Sequence, residues 1–477
     1  MINCGTGRGF SDMHGIIHDF FSYNNRVSLS LGDQLEKALS GRDLELLRLV
    51  AREARALGLA LYMVGGFPRD LVLGRAPIDY DLVVEGSAIQ LANSLAAKYG
   101  GQITVHQRFG TAKWILDRSA TPGRPGGGSK GRRHADIRLD LISARSEVYP
   151  RPAQLPHVRL GTIEEDLQRR DFTINTLAIR LDGKHFGMVL DPLGALEDMK
   201  RGAIRVLHDK SFQDDPTRMY RAVRYEKRLG FKIAPGTLRL TPNARRWVDQ
   251  LSAHRIRQEL EQILEEDQAA AMLSRLGRLG LLSAVHRALP DDDRALRWLR
   301  NGKPARSDAA DARGGTRERA KLWLLWLMDL TPAQIESVRR RLCFDNKLTA
   351  ELVAASELRG DIKSLIRLRP SRLTEHLRGL PLGAVEAVQA AFPPGRPRRL
   401  LEEYLTTWRH IRPRATGLDL KALGIPPGPA YRSILQELRA AWIDGTIKSV
   451  AEERLEIENY VRRLRRAGVR TTVKGPA

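Results

Sequence analysis

The chain has 477 residues, of which 42% are hydrophobic, and this excludes a wholly disordered protein and allows two or more domains. No apolar run approaches the ~20 residues that span a bilayer, so a membrane protein is not expected. Lys and Arg number 79 against 56 Asp and Glu, and the net charge of +23 indicates either a polyanionic partner or a solvated basic surface. Only Cys4 and Cys343 are present, without metal-binding spacing, which favours a reducing, cytoplasmic setting.

The first part of the chain has the pattern of a small mixed-sheet α/β head over residues 31–182. Residues 1–30 have neither a signal peptide nor a transit peptide pattern and are expected to form an unstructured extension. Residues 118–134 are rich in Gly, Pro, Ser and Arg and predict a mobile basic loop. Apolar periodicity predicts, in chain order, a helix at 31–57, strands at 60–64 and 79–84, a helix at 87–99, and strands at 102–106, 112–116 and 135–143.

After residue 183 almost every apolar repeat has the helical period. The fold class is therefore predicted as α+β, with the head followed by a long all-α portion. Breaks rich in proline and glycine predict a neck at 183–290, a body at 291–400 and a tail at 401–477.

A glycine pair and an acidic pair dominate the head. Gly65 and Gly66 end an apolar run, and glycines let the backbone approach a phosphate closely. Asp79 and Asp81 lie two residues apart in a predicted strand, so both carboxylates point to one face. This arrangement suits Mg²⁺ held against a triphosphate. The alternative is a tight turn followed by a strand with two solvated acids.

A second polar cluster follows Thr162 and Glu165, which have the spacing of a helix capping box. Arg170 and Asp171 are predicted to lie beside an apolar helix face formed by Phe172, Ile174, Leu177 and Ile179. Arginine suits phosphate oxygens, and Asp or Asn suits ribose hydroxyls. The alternative is an exposed first helical turn held by salt bridges.

A third cluster begins at Asp214, which is predicted to cap a helix. Asp215, Arg218 and Arg221 are spaced by three and are predicted to line one face of that helix. A carboxylate accepts and a guanidinium donates hydrogen bonds, which matches the pairing edges of cytosine and adenine and opposes those of uracil and guanine. The alternative is an ordinary surface salt bridge.

Six stretches occur in a characteristic order: GGFPRD, IDYDLVV, LDLISARSEVYP, EEDLQRRDFTINTLA, DPLGALEDMKRGAIRVLH and DDPTRMYRAVRYEKRLGF. Together they resemble the bacterial tRNA nucleotidyltransferase and poly(A) polymerase family of the polymerase-β superfamily, of the CCA-adding type. The similarity is close over residues 61–231, and residues 417–429 resemble the tRNA-binding end of that family. Two departures are Asp214, where the family usually has Glu, and Pro68, where it commonly has Val.

This resemblance implies roles for individual residues. Asp79 and Asp81 would bind two Mg²⁺ ions, and Asp140 would be the third catalytic carboxylate. Asp215 and Arg218 would select C or A, with support from Arg221. The nucleotide-binding residues would be Gly65, Gly66, Arg69, Arg170, Asp171, Asn175, Asp215, Arg218 and Arg221. The element that switches specificity from C to A would lie within residues 118–134 and 145–150, with Arg145 and Glu147 in its second part.

The implied function is an Mg²⁺-dependent RNA 3′-end nucleotidyltransferase that adds C, C and A from CTP and ATP to tRNA without a nucleic-acid template. Alternatives with the same motifs are an A-adding enzyme, a CC-adding enzyme or a poly(A) polymerase. A non-catalytic RNA-binding protein is an alternative of another class, and the paired Asp79 and Asp81 oppose it.

Overall fold

The computed structural model describes residues 30–76, 81–116, 137–302, 315–423, 425 and 427–466. Asp79 and the basic loop at 118–134 therefore lie outside the described residues, and their predicted roles stay predictions. The chain divides into two compact units, Met1–Ser252 and Ala253–Ala477. The finer boundaries expected at 182, 290 and 400 also stay predictions.

A seven-stranded mixed sheet forms the centre of the first unit, in the order β3-β4-β5-β2-β1-β8-β9. The β2 and β5 strands run parallel, and their other neighbours in the sheet are antiparallel. These strands are β1 (Ala60–Val64), β2 (Asp81–Glu85), β3 (Gln102–His106), β4 (Thr111–Leu116), β5 (Ile137–Ser143), β8 (Ala178–Arg180) and β9 (Val189–Leu190). Two short pairs are separate: β6 (Arg145–Val148) with β7 (His157–Leu160), and β10 (Ala203–Ile204) with β11 (Lys232–Ile233).

The central strands β1 and β2 have consecutive buried apolar residues, and because successive side chains of a strand point to opposite faces, the sheet is covered on both faces there. Tyr62, Val64 and Val83 pack on one face against Ile163 and Leu167 of a short helix. The helices of this unit are α1 (Gly32–Ala38), α2 (Gly41–Ala56), α3 (Gly66–Val72), α4 (Ala88–Tyr99), α5 (Ile163–Gln168), α6 (Ala195–Arg201), α7 (Ser211–Asp214), α8 (Thr217–Leu229) and α9 (Pro235–Ala244).

Two helix predictions for the first unit are wrong in detail, and a third, which concerns Asp214, is described in the next paragraph. The single helix expected at 31–57 is broken, because Ser40 caps a new helix by accepting a hydrogen bond from the Asp43 amide. The helix with the capping box ends at Gln168, and the residues that follow form a 3₁₀ turn at Thr173–Asn175 and then strand β8. Arg170 and Asp171 are therefore not on an α-helix.

Asp214 does not cap the helix that contains Arg218. It is the last residue of α7, and Pro216 precedes the first turn of α8. Asp215 lies between these helices in an extended conformation and accepts hydrogen bonds from the amide and the hydroxyl of Thr217, at 2.9 and 2.6 Å. Asp215 is therefore not part of the helical face that the spacing predicted.

The described part of the second unit is helical, as expected. Its tail has a core of Leu420, Ile425, Ile434, Leu438 and Ile457. The helices are α10 (Ala253–Glu265), α11 (Ala269–Arg278), α12 (Leu281–Val285), α13 (Asp293–Gly302), α14 (Gly315–Leu327), α15 (Pro332–Leu342), α16 (Asn346–Leu365), α17 (Pro370–Arg378), α18 (Leu382–Ala391), α19 (Arg396–Thr406), α20 (Gly417–Ala422), α21 (Pro429–Ile443) and α22 (Val450–Arg466). Within the described residues, no helix has both the length and the apolar character needed to cross a membrane.

Candidate active site

The turn between β1 and α3 brings backbone and charged groups close together. Gly65 has φ +80°, a conformation that L side chains rarely adopt, and it precedes the first residue of α3. A Cβ at Gly65 would lie 3.0 Å from Arg170 Nη1 and 3.8 Å from Asp81 Oδ2. Glycine at this position therefore keeps open the space between a guanidinium and a carboxylate.

Asp81 begins β2, and Asp140 lies on the neighbouring strand. Leu82 pairs with Leu141 in the parallel register of β2 and β5, so Asp81 and Asp140 fall one step away on the opposite face. Both residues are exposed, whereas Leu82 and Leu141 are fully buried. Asp140 also forms an ion pair of 3.2 Å with Lys113 on β4. The fold thus brings together two of the three predicted catalytic carboxylates.

Asp166 holds both arginines of the second cluster. Its side chain is fully buried and contacts Arg169 Nη2 at 2.6 Å and Arg170 Nη2 at 2.9 Å. Sequence reasoning did not select Asp166 as a functional residue. Its position three and four residues before these arginines is the signal that could have identified it, because side chains at these spacings meet on a helix.

Asp171, Asn175, Arg69 and Arg221 form one hydrogen-bonded chain, in which the first three side chains are buried and Arg221 is partly exposed. Arg69 Nη1 donates to Asn175 Oδ1 at 2.6 Å, and Asn175 Nδ2 donates to Asp171 Oδ1 at 2.9 Å. Arg221 Nε donates to Asp171 Oδ2 at 2.8 Å. Burial by itself would raise the pKa of Asp171, but the Arg221 charge and the hydrogen bonds from Asn175 and Arg221 lower this pKa to about 2. Asp171 is therefore an anion in this arrangement.

Arg218 links α8 to the second cluster. Its side chain is buried, and its guanidinium donates to Ser211 Oγ at 2.7 Å and to the Arg169 carbonyl at 2.8 Å. Arg221, one turn later, binds Asp171. The two arginines of the predicted base-reading group therefore lie beside the two arginines that Asp166 holds.

Arg145 and Glu147, the predicted specificity residues, lie on strand β6. Glu147 Oε1 accepts from Arg145 Nη2 at 3.0 Å and from Arg169 Nη1 at 3.3 Å, and its second oxygen accepts from the Tyr149 hydroxyl at 2.9 Å. Burial raises the pKa of Tyr149, and the neighbouring Glu147 carboxylate adds to this effect. These residues are thus fixed to the second cluster.

The donors at the Gly65 turn fit a phosphate group. Arg170 Nε is buried and has no hydrogen-bond partner within the described residues. Such a group is costly to bury unless a ligand accepts its hydrogen bond. The described residues contain no cluster of three or more His, Cys, Asp or Glu side chains that could hold a metal ion, and Asp79 lies outside them. Asp81 and Asp140 supply carboxylate oxygens on one face, which is the ligand type that Mg²⁺ prefers.

Comparisons with known proteins found two family models that match parts of the chain and relatives that match most of it. Residues 61–205 match the model of the poly(A) polymerase head domain, and residues 230–291 match that of a probable RNA and SrmB-binding site of polymerase A. The chain is 30% identical over 433 residues to the CC-adding tRNA nucleotidyltransferase of Deinococcus radiodurans, with 90% of this chain and 97% of that protein covered. The chain belongs to the tRNA nucleotidyltransferase and poly(A) polymerase family. The family and the enzyme class predicted from the sequence motifs are thus confirmed.

Relatives with different nucleotide specificities are found. The A-adding tRNA nucleotidyltransferase of Geobacter sulfurreducens is 34% identical over 417 residues, with 84% of this chain covered, and the chain spans 45% of that relative's length. The fold is similar to that of the Thermotoga maritima CCA-adding enzyme complexed with tRNA, with a TM-score of 0.69 and 26% identity. That alignment covers 91% of this chain and 98% of the other. The α+β fold class is confirmed.

Proposed function

We propose that this protein is a metal-dependent RNA 3′-end nucleotidyltransferase that adds C and A from CTP and ATP to the 3′ end of tRNA and releases pyrophosphate. The observation that carries the proposal is the meeting of the Gly65 turn, Asp81 and Arg170 at one end of the sheet. Relatives named for adding CC or A to tRNA support the substrate. The cytoplasm is the proposed location, in keeping with the two cysteines of the chain.

In this proposal the chain's own residues bind and orient the triphosphate. The open space at Gly65 admits a phosphate, and Arg170 donates to its oxygens. Asp79 and Asp81 would hold two Mg²⁺ ions, with Asp140 as the third catalytic carboxylate. Bound Mg²⁺ would activate the RNA 3′-hydroxyl and stabilise the leaving pyrophosphate. Asp166 keeps Arg169 and Arg170 oriented, and the network of Arg69, Asp171 and Asn175 supports the ribose side.

Base selection is assigned to Asp215 and Arg218. A carboxylate accepts up to about four hydrogen bonds, so the bonds from Thr217 to one oxygen of Asp215 are compatible with acceptance from the amino group of cytosine or adenine. The contacts of Arg218 with Ser211 and the Arg169 carbonyl hold its guanidinium in place. Arg218→Ala is expected to lose discrimination against UTP and GTP, and unchanged selectivity would refute the assignment.

The test uses the pure protein, Mg²⁺ and tRNA transcripts that end before CCA, after C and after CC, each with one labelled nucleoside triphosphate. CTP should extend the first two transcripts, and ATP the third. Asp81→Asn should abolish incorporation and leave tRNA binding intact, since it replaces a negatively charged metal ligand with a neutral amide of the same size. Substantial residual turnover by Asp81→Asn would overturn the metal assignment.

A narrower A-adding activity is the second candidate, favoured by the similarity to the A-adding enzyme of Geobacter sulfurreducens. The same assay separates the two. An A-adding enzyme would extend only the transcript that ends after CC, and only with ATP.

A further inference from the structure

A cleft beside Asp81 contains an aromatic ring that the proposed chemistry does not use. The cleft has a volume of about 530 Å³, and its lining includes Asp81, Phe109, Arg145, Arg169 and Arg170. Phe109 is partly exposed and belongs to a 3₁₀ turn, Gln107–Phe109, between β3 and β4. Apolar rings on the wall of a polar cleft are costly to hydrate, so this ring is suited to a planar apolar ligand.

The Phe109 turn is held rigidly. Gly110 has φ +59°, and a Cβ at this position would lie 3.2 Å from the Ser143 side chain. Arg145 Nη1 donates to the Phe109 carbonyl at 3.3 Å, and the Gly110 carbonyl accepts from the Ser143 amide at 2.9 Å. The backbone that carries the ring is therefore held in place and does not need to be ordered on binding.

Positive charge and further apolar surface surround the ring. The guanidinium carbons of Arg108 and Arg145 lie 5.6 and 5.9 Å from its centroid. Leu160 pairs with Arg145 in the β6–β7 register, and 66% of Leu160 is exposed, which is unusual for a large apolar residue. A Cβ at Gly110 would lie 3.9 Å from Leu160. Phe109 and Leu160 thus both adjoin Gly110, and together they are called the apolar strip.

We infer that this strip, Phe109 with Leu160, is the stacking platform for the unpaired 3′-terminal bases of the RNA substrate. Stacking on an aromatic ring beside guanidinium groups that contact phosphates is the usual chemistry of single-stranded RNA binding. The incoming nucleotide is assigned to Gly65 and Arg218. Phe109 lies next to β4, and β5 and β2 separate β4 from β1, the strand that precedes Gly65. The ring is therefore assigned to the RNA end and not to the incoming nucleotide. This inference rests on the proposed function, because it identifies the RNA end as the acceptor.

The test measures equilibrium binding of 5′-labelled tRNA lacking CCA, without nucleoside triphosphates, by fluorescence anisotropy. Phe109→Ala should weaken binding about 5- to 100-fold, and Phe109→Trp should retain it. A tRNA whose 3′-terminal nucleotide is abasic should bind the wild type more weakly by a similar factor. If ring and base contact each other, Phe109→Ala should bind the abasic and the intact tRNA equally.

The matched control is Leu155→Ala. Leu155 is exposed, lies between β6 and β7 and does not line the cleft, so this variant should bind tRNA with the wild-type affinity. Independent, additive losses from Phe109→Ala and from the abasic tRNA would overturn the inference. A raised KM for CTP or ATP in Phe109→Ala, with full RNA affinity, would instead place the incoming base on the ring and would also overturn it. Because binding is measured without turnover, a wild type that binds tRNA but adds no nucleotide would refute only the proposed function.

Discussion

At the scale of single residues, Asp171 is a buried carboxylate whose charge is stabilised by Arg221 and Asn175. Its pKa is lowered to about 2, so the ionised form stabilises the fold at pH values above the unfolded pKa of ~3.9 and this contribution is lost as the pH falls toward about 2. Asp171→Asn should lower the free energy of unfolding by about 2 kcal/mol at pH 7, and the difference from wild type should narrow at pH ~3. Urea denaturation at both pH values measures this.

The control for Asp171 is Glu197→Gln, which removes an exposed ion pair with Arg201. Exposed pairs contribute little, so its unfolding curve should overlay that of the wild type at both pH values. A difference between Asp171→Asn and wild type that does not depend on pH would show that the Asp171 charge is not the cause.

Arg170 presents Nη1 of its guanidinium to the Gly65 turn, and its Nε is a buried donor without a hydrogen-bond partner within the described residues. Arg170→Ala should raise the KM for CTP and ATP about 10- to 100-fold, because a charge-assisted hydrogen bond to a phosphate is lost. Arg170→Lys should recover only part of this loss, since it keeps the charge but not the planar fork. Steady-state kinetics with saturating tRNA measures the effect.

The control for Arg170 is Arg180→Ala, which breaks an ion pair with Asp182 away from the cleft and should leave the KM unchanged. An unchanged KM in Arg170→Ala would contradict the phosphate role.

At the scale of secondary-structure elements, the capped helix α5 positions the two arginines that follow it in the site. Its capping box joins Thr162 and Glu165, and the chain leaves the helix at Gln168 to present Arg169 and Arg170. An equivalent box, Thr331 with Gln334, begins α15 in the other unit. Thr162→Ala and Thr331→Ala should each destabilise their own unit by about 1 kcal/mol. Only Thr162→Ala should also raise the KM for nucleotide, as measured by unfolding curves and kinetics on both variants. Equal kinetic effects would show that α5 does not position the arginines.

Sequence patterns predicted strands well and helix ends poorly in this head. The alternation in residues 102–106 and 112–116 was sufficient, because one-residue shifts of a strand would move apolar side chains to the wrong face. Residues 60–64 are instead a short, continuous apolar run, which is typical of a strand buried on both faces. The stretch after Gln168 was misassigned as helix. Its apolar residues Phe172, Ile174, Leu177 and Ile179 are all buried, and a segment buried on several sides loses the periodicity that separates helix from strand.

The helical face predicted for Asp215, Arg218 and Arg221 failed for a local reason. Thr217 offers both its amide and its hydroxyl to Asp215, and this turn competes with continuation of the helix through Pro216. The residue types were predicted correctly as hydrogen-bonding groups, but their intramolecular partners depend on segments far apart in the chain, such as Arg169 for Arg218.

At the scale of the whole molecule, the net charge of +23 is the dominant property. Raising salt from ~50 to ~200 mM should weaken tRNA binding by about 10-fold or more, because contacts between basic side chains and phosphates release counterions. Binding titrations at four salt concentrations give the slope. The urea midpoint should stay constant over the same range, as a control for folding. A flat binding response would contradict a phosphate-contacting surface.

The sequence by itself determined the family, the α+β class and the residue types of the site, because ordered motifs and apolar periodicity are local properties of the chain. Only the tertiary structure decided that Arg218 binds the Arg169 carbonyl, that Asp140 stands beside Asp81, and that Phe109 lies in the same cleft. These relations join strands and turns distant in sequence, and strand order and register, which set which side chains meet, are consequences of packing in three dimensions.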